Sequence, residues 1–225
     1  MAREFTRNML IMLVAIMVGI AIITFFIADI MRRSQIETLA VEHETEIQDI
    51  TYKNENFTDH FLQGVVKMDA AREVREVGNY HFDFALFWYS NAVVNTTTTF
   101  IDYCTENCTD AMTSYLVAYG DFNESQPFFI EAKTYTNQTK YLEVLGYYVA
   151  FAQSGKNITI LRYNASQYLM YVVENLSLGH TENVTLLMDL FNQTEAEYNS
   201  QVGAYDDSRK QIDEYLFFDT IREQH

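Results

Sequence analysis

Residues 9–28 form a run of twenty consecutive uncharged side chains near the N-terminus. A helix of this length rises about 30 Å, which matches the hydrocarbon thickness of a bilayer. A cleaved signal peptide has a shorter apolar core and small residues at its cleavage site, whereas residues 24–27 read Thr-Phe-Phe-Ile. We therefore predict an uncleaved signal anchor over residues 9–30, in contact with membrane lipid. It follows a cytoplasmic tail of residues 1–8, which is too short for an output domain.

The orientation of this anchor follows from glycosylation signals, because the arginines on its two sides nearly balance. Fifteen asparagines and thirty serines and threonines in 225 residues predict two Asn-x-Ser/Thr sequons by chance. The chain has ten, all after the anchor: Asn56, Asn95, Asn107, Asn123, Asn137, Asn157, Asn164, Asn175, Asn183 and Asn192. We expect N-linked glycans there, a cell-membrane protein with its N-terminus inside and its C-terminal part outside. So many sequons with only two cysteines favour an archaeal cell surface.

The scarcity of turn residues predicts an all-α fold. The chain has one proline and eight glycines, whereas β-rich folds spend more of both on turns. Apolar residues at 3–4 spacing after residue 33 indicate that the transmembrane helix continues as an amphipathic stalk over residues 31–56. Residues 57–225 are predicted to form an elongated, antiparallel helical bundle. Its long C-terminal helix, a coiled-coil-like seam that begins near Thr181, is expected to pair with residues 36–77.

Several internal signals predict helix ends within this bundle. We expect a kink or short break at Gly78-Asn79, a helix end near Gly120 and a loop over residues 123–127. Gly155 is expected to end a helix over residues 140–154, and Gly179 to end the next one. These signals divide the bundle into short helical hairpins.

Cys104 and Cys108 are the only two cysteines. Their spacing is that of neither a redox Cys-x-x-Cys motif nor a haem-attachment site, and no further zinc ligands stand nearby. In an oxidising compartment the pair predicts a small disulfide that closes a turn. Free thiols and an intermolecular bridge are the alternatives.

The densest apolar cluster is the segment over residues 80–94. Apolar residues on every side of a helix predict deep burial, so this segment is interpreted as the central core helix. The alternative is an aromatic ligand pocket lined by residues 80–89 and 147–151. Asp83 lies inside the cluster, and burial would give its carboxyl a raised pKa and a possible catalytic role. A hydrogen-bonded structural carboxylate is the commoner case.

Known catalytic and cofactor motifs are absent from the sequence. It contains no nucleophile elbow, phosphate-binding glycine loop or His-Glu-x-x-His metal signature, so we predict no enzyme, no cofactor and no metal. The net charge of −16 disfavours binding to nucleic acid, which requires clustered lysine and arginine.

The sequons leave two long segments empty, residues 57–94 and 195–225. A bulky, hydrated glycan cannot sit in a packed interface. These segments, together with the stalk, therefore form a protein-contacting side or base, or else they are buried within the monomer or crowded near the membrane. We expect a membrane-anchored structural or interaction protein, an accessory subunit of an envelope or membrane complex that binds other membrane or surface proteins. The alternative is a ligand-sensing helical ectodomain that signals through a partner subunit.

Overall fold

A computed structural model describes the backbone of residues 2–215 and the side chains of residues 24–215. Within these limits the chain is all-helical, with four helices and no strand. The helices are α1 (Ala2–Val94), α2 (Thr98–Thr134), α3 (Thr139–Ser177) and α4 (Thr181–Asp213). The prediction of an all-α chain with a long C-terminal helix is confirmed. The last ten residues of the chain, 216–225, lie outside the described part.

The chain divides into two units, Met1–Tyr52 and a second that begins at Lys53. In the first unit the side chains from residue 30 to residue 52 are all exposed, including the apolar ones of the predicted stalk, such as Ile36 and Ile47. No helix among the described residues is both long and apolar enough to cross a membrane. Most of the predicted anchor, residues 9–23, lies outside the set whose side chains are described.

The second unit is an antiparallel four-helix bundle. Along α1, contacts with α4 pass from Arg75–Tyr205 to Phe82–Phe191 and Tyr89–Met188, so the residue number rises on one helix as it falls on the other. Loops of three or four residues join the helices, which makes successive helices antiparallel neighbours. These α1–α4 contacts lie at residues 75–89, closer to the end of α1 than the predicted 36–77.

Two clusters of buried side chains form the core. The first joins Phe57 and Phe61 of α1 to Phe122, Phe129, Tyr148 and Phe151 of α2 and α3. The second joins Phe82 and Ala85 to both cysteines, Tyr115 and Leu169. Arg162 links them, because its guanidinium lies 3.8 Å from the ring centroid of Tyr198 in the first cluster and 4.8 Å from that of Phe82 in the second. Its Nη1 also donates to both carboxylate oxygens of Glu195 at 2.7 and 2.8 Å.

Most of the predicted helix ends inside the bundle were wrong. Helix α1 passes through Gly78, α2 contains Gly120 and Pro127, and α3 contains Gly155. Gly78 and Gly155 instead allow close packing, because a Cβ atom on them would stand 2.8 Å from the ring of Tyr115 and 2.6 Å from that of Phe122. Only the break at Gly179 occurs as predicted, where φ of +71° follows the end of α3.

Candidate interaction surface

The end of α1 carries a row of exposed apolar side chains on the side opposite the core. Phe82, Ala85 and Ala92 are buried against the bundle. The other side of the helix presents, at spacings of three or four residues with a gap at Asn91, the exposed side chains of Val77, Tyr80, Phe84, Phe87 and Val94. This spacing keeps them on one face of a helix. The helix therefore has two apolar faces, of which the bundle covers only one.

The exposed row continues onto the start of α2 through ring contacts. Phe87 lies 4.9 Å from Trp88, and Trp88 lies 4.9 Å from Tyr103 and 5.8 Å from Phe100. At the other end of the row, the rings of Tyr80 and Phe84 lie 4.7 Å apart. We call this set the aromatic surface, and it consists of Tyr80, Phe84, Phe87, Trp88, Phe100 and Tyr103.

Carboxylates flank the aromatic surface. Glu76 and Asp83 are exposed beside it on α1, and Asp102 and Glu106 on α2. His81 is half-buried, with its Nδ1 atom 3.5 Å from Oδ1 of Asn107 and 3.8 Å from Oδ2 of Asp110. The surface thus combines an aromatic centre with an acidic rim.

The predicted deep burial of residues 80–94 was wrong for about half of these residues, which are exposed. Asp83, expected to be buried among aromatic side chains, is exposed, so it lacks the burial on which its catalytic role depended. The pattern misled because apolar residues on all sides of a helix signal burial only when partners surround it. A helix at the corner of a four-helix bundle has neighbours on only part of its circumference.

The two segments expected to line a ligand pocket, residues 80–89 and 147–151, belong to different core clusters. Residues 80–89 contribute Phe82, Leu86 and Tyr89 to the second core cluster. Residues 147–151 contribute Tyr148 and Phe151 to the first. The structure therefore does not bring these two aromatic segments together around one cavity.

Cys104 and Cys108 are free thiols buried one helical turn apart in α2, not the ends of a closed turn. The predicted turn is absent because α2 is continuous from Thr98, and the predicted disulfide is not formed in this structure. The Cys104 thiol donates to the carbonyl of Ala85 at 3.3 Å. The hydrogen bond with Cys104, followed by burial, raises the pKa of Cys108. Both cysteines pack in the second core cluster with Phe82 and Ala85 of α1.

All ten sequon asparagines lie at the surface. Six are exposed and four are half-buried, and none is in the core. The half-buried ones are Asn56, Asn107, Asn164 and Asn175. Asn175 and Asn183 touch, because Nδ2 of Asn183 donates to Oδ1 of Asn175 at 3.0 Å. The fold therefore has room for a glycan at the exposed sites.

In the side chains from residue 24 to 215, no group of three His, Cys, Asp or Glu residues is arranged to hold a metal ion.

The chain matches no protein-family model, no curated protein and no solved structure. The aromatic surface is a feature that sequence reasoning missed. Its signal was the row at residues 77, 80, 84, 87 and 94, which is separate from the row that enters the core.

Proposed function

We propose that this chain is a membrane-anchored cell-surface interaction protein, an accessory subunit of an envelope or membrane complex. It binds its partner through the aromatic surface. The complementary partner surface is an apolar groove with lysine or arginine at its edges, because the aromatic surface has an acidic rim.

One observation carries this proposal: large aromatic side chains stand in solvent on a well-packed bundle. Tyr80 is 60% exposed, Phe87 56% and Phe84 41%. Single exposed apolar residues are ordinary, but a contiguous row of them marks an interaction site. Aromatic side chains are also the residues that contribute most to binding free energy at interfaces.

The sequon map supports the same side of the bundle. All of the exposed row on α1 falls within residues 57–94, where no sequon occurs, whereas nine of the ten sequons lie between Asn95 and Asn192. Phe100 and Tyr103, the α2 part of the aromatic surface, lie between the sequons Asn95 and Asn107, so the row on α1 is the part of this surface without a glycosylation signal.

The membrane anchor and the outward placement rest on the sequence. The run over residues 9–28 has the length and hydropathy of a spanning helix. A fivefold excess of sequons favours the glycosylating side of the membrane, and the six exposed asparagines leave room for a glycan. We expect no catalytic activity, since no catalytic motif is present in the sequence.

The test is the native mass of the full-length protein, extracted gently from its own membranes, with each co-purifying chain identified. We expect a complex of fixed stoichiometry. The double variant Phe84→Ser/Phe87→Ser should no longer co-purify with the partner. Truncating a central aromatic residue costs about 2 kcal/mol or more of binding free energy, which is roughly a thirtyfold loss of affinity for each residue.

The matched control is Leu116→Ser/Ile130→Ser, which changes two similarly exposed apolar residues on α2. This control should keep the partner. Both variants should fold, because substitutions at exposed positions change stability little. A wild-type protein that runs as a lone glycosylated monomer would refute the accessory-subunit function. Equal loss of the partner in both variants would refute the role of the aromatic surface.

A further inference from the structure

The buried polar side chains of the bundle coincide with its glycosylation signals. Among the described residues, three polar side chains are completely buried. Each is the hydroxyl residue of a sequon: Ser125 with Asn123, Thr159 with Asn157, and Ser166 with Asn164.

Helix geometry explains why these hydroxyls enter the core. Residues two positions apart in a helix are separated by about 200° around its axis. Asn123 and Asn157 are exposed and Asn164 is half-buried, so the residue two positions later faces inward. At these three sites an asparagine at the surface is therefore followed, two residues later, by a hydroxyl that lies in the core.

These hydroxyls are also engaged within the helix. Ser125 donates to the carbonyl of Phe122 at 2.8 Å, Thr159 to that of Gly155 at 2.7 Å, and Ser166 to that of Arg162 at 2.9 Å. The Asn-x-Ser/Thr signal requires this hydroxyl, because sequons are defined by it. A glycosylating enzyme that meets the folded bundle can reach the amide of Asn157 but not the hydroxyl of Thr159.

We propose that Asn123, Asn157 and Asn164 receive their glycans before the bundle folds, and that the folded bundle is not a substrate at these sites. The inference rests on the outward placement of the proposed function. The donor is an oligosaccharide joined to a lipid phosphate. The bond between its C1 carbon and the phosphate oxygen breaks, and the lipid phosphate leaves with the electron pair. A bond from C1 to Nδ2 of the asparagine forms, and one Nδ2 proton is released to the solvent.

The chain contains an internal control. Asn183 and its hydroxyl residue Thr185 are both exposed at the start of α4. The Thr185 hydroxyl also donates to a carbonyl of its own helix, that of Thr181, at 3.2 Å, so what distinguishes this sequon from the one at Asn157 is that its hydroxyl is exposed. A difference between Asn183 and Asn157 reports on the buried hydroxyl rather than on the activity of the enzyme.

The experiment uses the full chain, made without glycans and inserted in lipid nanodiscs. One sample is supplied folded and another is diluted directly from denaturant, each into an extract of the protein's own membranes that contains the enzyme and its lipid-linked donor. Mass spectrometry of the peptides gives the occupancy of each sequon. We expect Asn183 to be modified in both samples. The other three sites should be at least tenfold less occupied in the folded sample than in the diluted one.

Equal occupancy of Asn157 in the two samples would overturn the inference, and so would a native protein that carries a glycan at Asn183 but at none of the three sites. Either result would leave the proposed function intact. A native protein without any glycan would refute both the inference and the outward placement.

One variant distinguishes the role of the Thr159 hydroxyl in glycosylation from its role in the stability of the core. Thr159→Val keeps the shape of the side chain but removes the hydroxyl. In unglycosylated protein we expect it to unfold at the same or a higher denaturant concentration, because the hydroxyl bonds only within its own helix. In the native membrane the same variant should lose the glycan at Asn157. A glycan that persists at Asn157 in this variant would contradict the requirement for the hydroxyl.

Discussion

Replacing Gly155 by alanine tests whether glycine in the middle of α3 is there for close packing. In the interior of a helix, glycine is normally about 1 kcal/mol less favourable than alanine, so the substitution should stabilise the protein. At residue 155, however, the added Cβ atom would stand 2.6 Å from two carbons of the Phe122 ring. Phe122 is fully buried, so its ring can move only by displacing the side chains packed around it.

The expected magnitude follows from comparison with Gly146 in the same helix. A Cβ atom at Gly146 meets nothing within 4 Å. Both substitutions gain the same helix propensity, so the difference between them is the cost of overpacking, about 1–3 kcal/mol. We expect Gly146→Ala to raise the free energy of unfolding by about 0.5–1 kcal/mol, and Gly155→Ala to lower it by up to about 2 kcal/mol.

Urea unfolding of the full chain in mild detergent, followed by the circular dichroism of its helices, measures both variants. The slope of the transition should not change, since neither substitution alters the surface exposed on unfolding. A Gly155→Ala variant as stable as Gly146→Ala would refute the packing argument. It would show that Phe122 moves aside without cost.

Two further predictions concern the interior of the bundle. Arg162→Met removes both hydrogen bonds to Glu195 and the ring contacts, so we expect urea unfolding to show a loss of about 2–4 kcal/mol. Adding Glu195→Met should restore part of that loss, and a double variant weaker than the single one would contradict this account. Burial raises the pKa of Tyr115. The folded form therefore holds this proton to a higher pH than the unfolded form, and stability present at neutral pH should fall as pH rises above about 10. Tyr115→Phe also loses the 2.8 Å hydrogen bond to Asn79, so it should be less stable at neutral pH. Its free energy of unfolding should fall less steeply above about pH 10 than that of the wild type. An equally steep fall would refute the assignment of this pH dependence to Tyr115.

The helix ends show where local signals were insufficient. Glycine marks a break when its neighbours leave the chain free to turn, as at Gly179. The same residue inside α1 and α3 marks the approach of an aromatic ring from another helix. No local pattern distinguishes the two cases, because the ring at Gly155 comes from a residue more than thirty positions away.

The aromatic cluster at residues 80–94 shows the same limit for the candidate site. Its composition identified a strongly apolar helix, and Phe82 and Ala85 do enter the core. Which sides of that helix remain in solvent depends on how many helices surround it. Tyr80 and Phe87 are exposed because no other described helix covers that side of α1.

The sequence by itself determined the helical class, the long C-terminal helix, the break at Gly179 and the candidate glycosylation sites. These depend on local composition, on the rarity of proline and on short signals read one segment at a time. Only the tertiary structure decided that α2 and α3 are continuous, that Asp83 is exposed and that three sequon hydroxyls are buried. These properties depend on which side chain from another helix arrives at a given position, and that is set by packing between residues far apart in the chain.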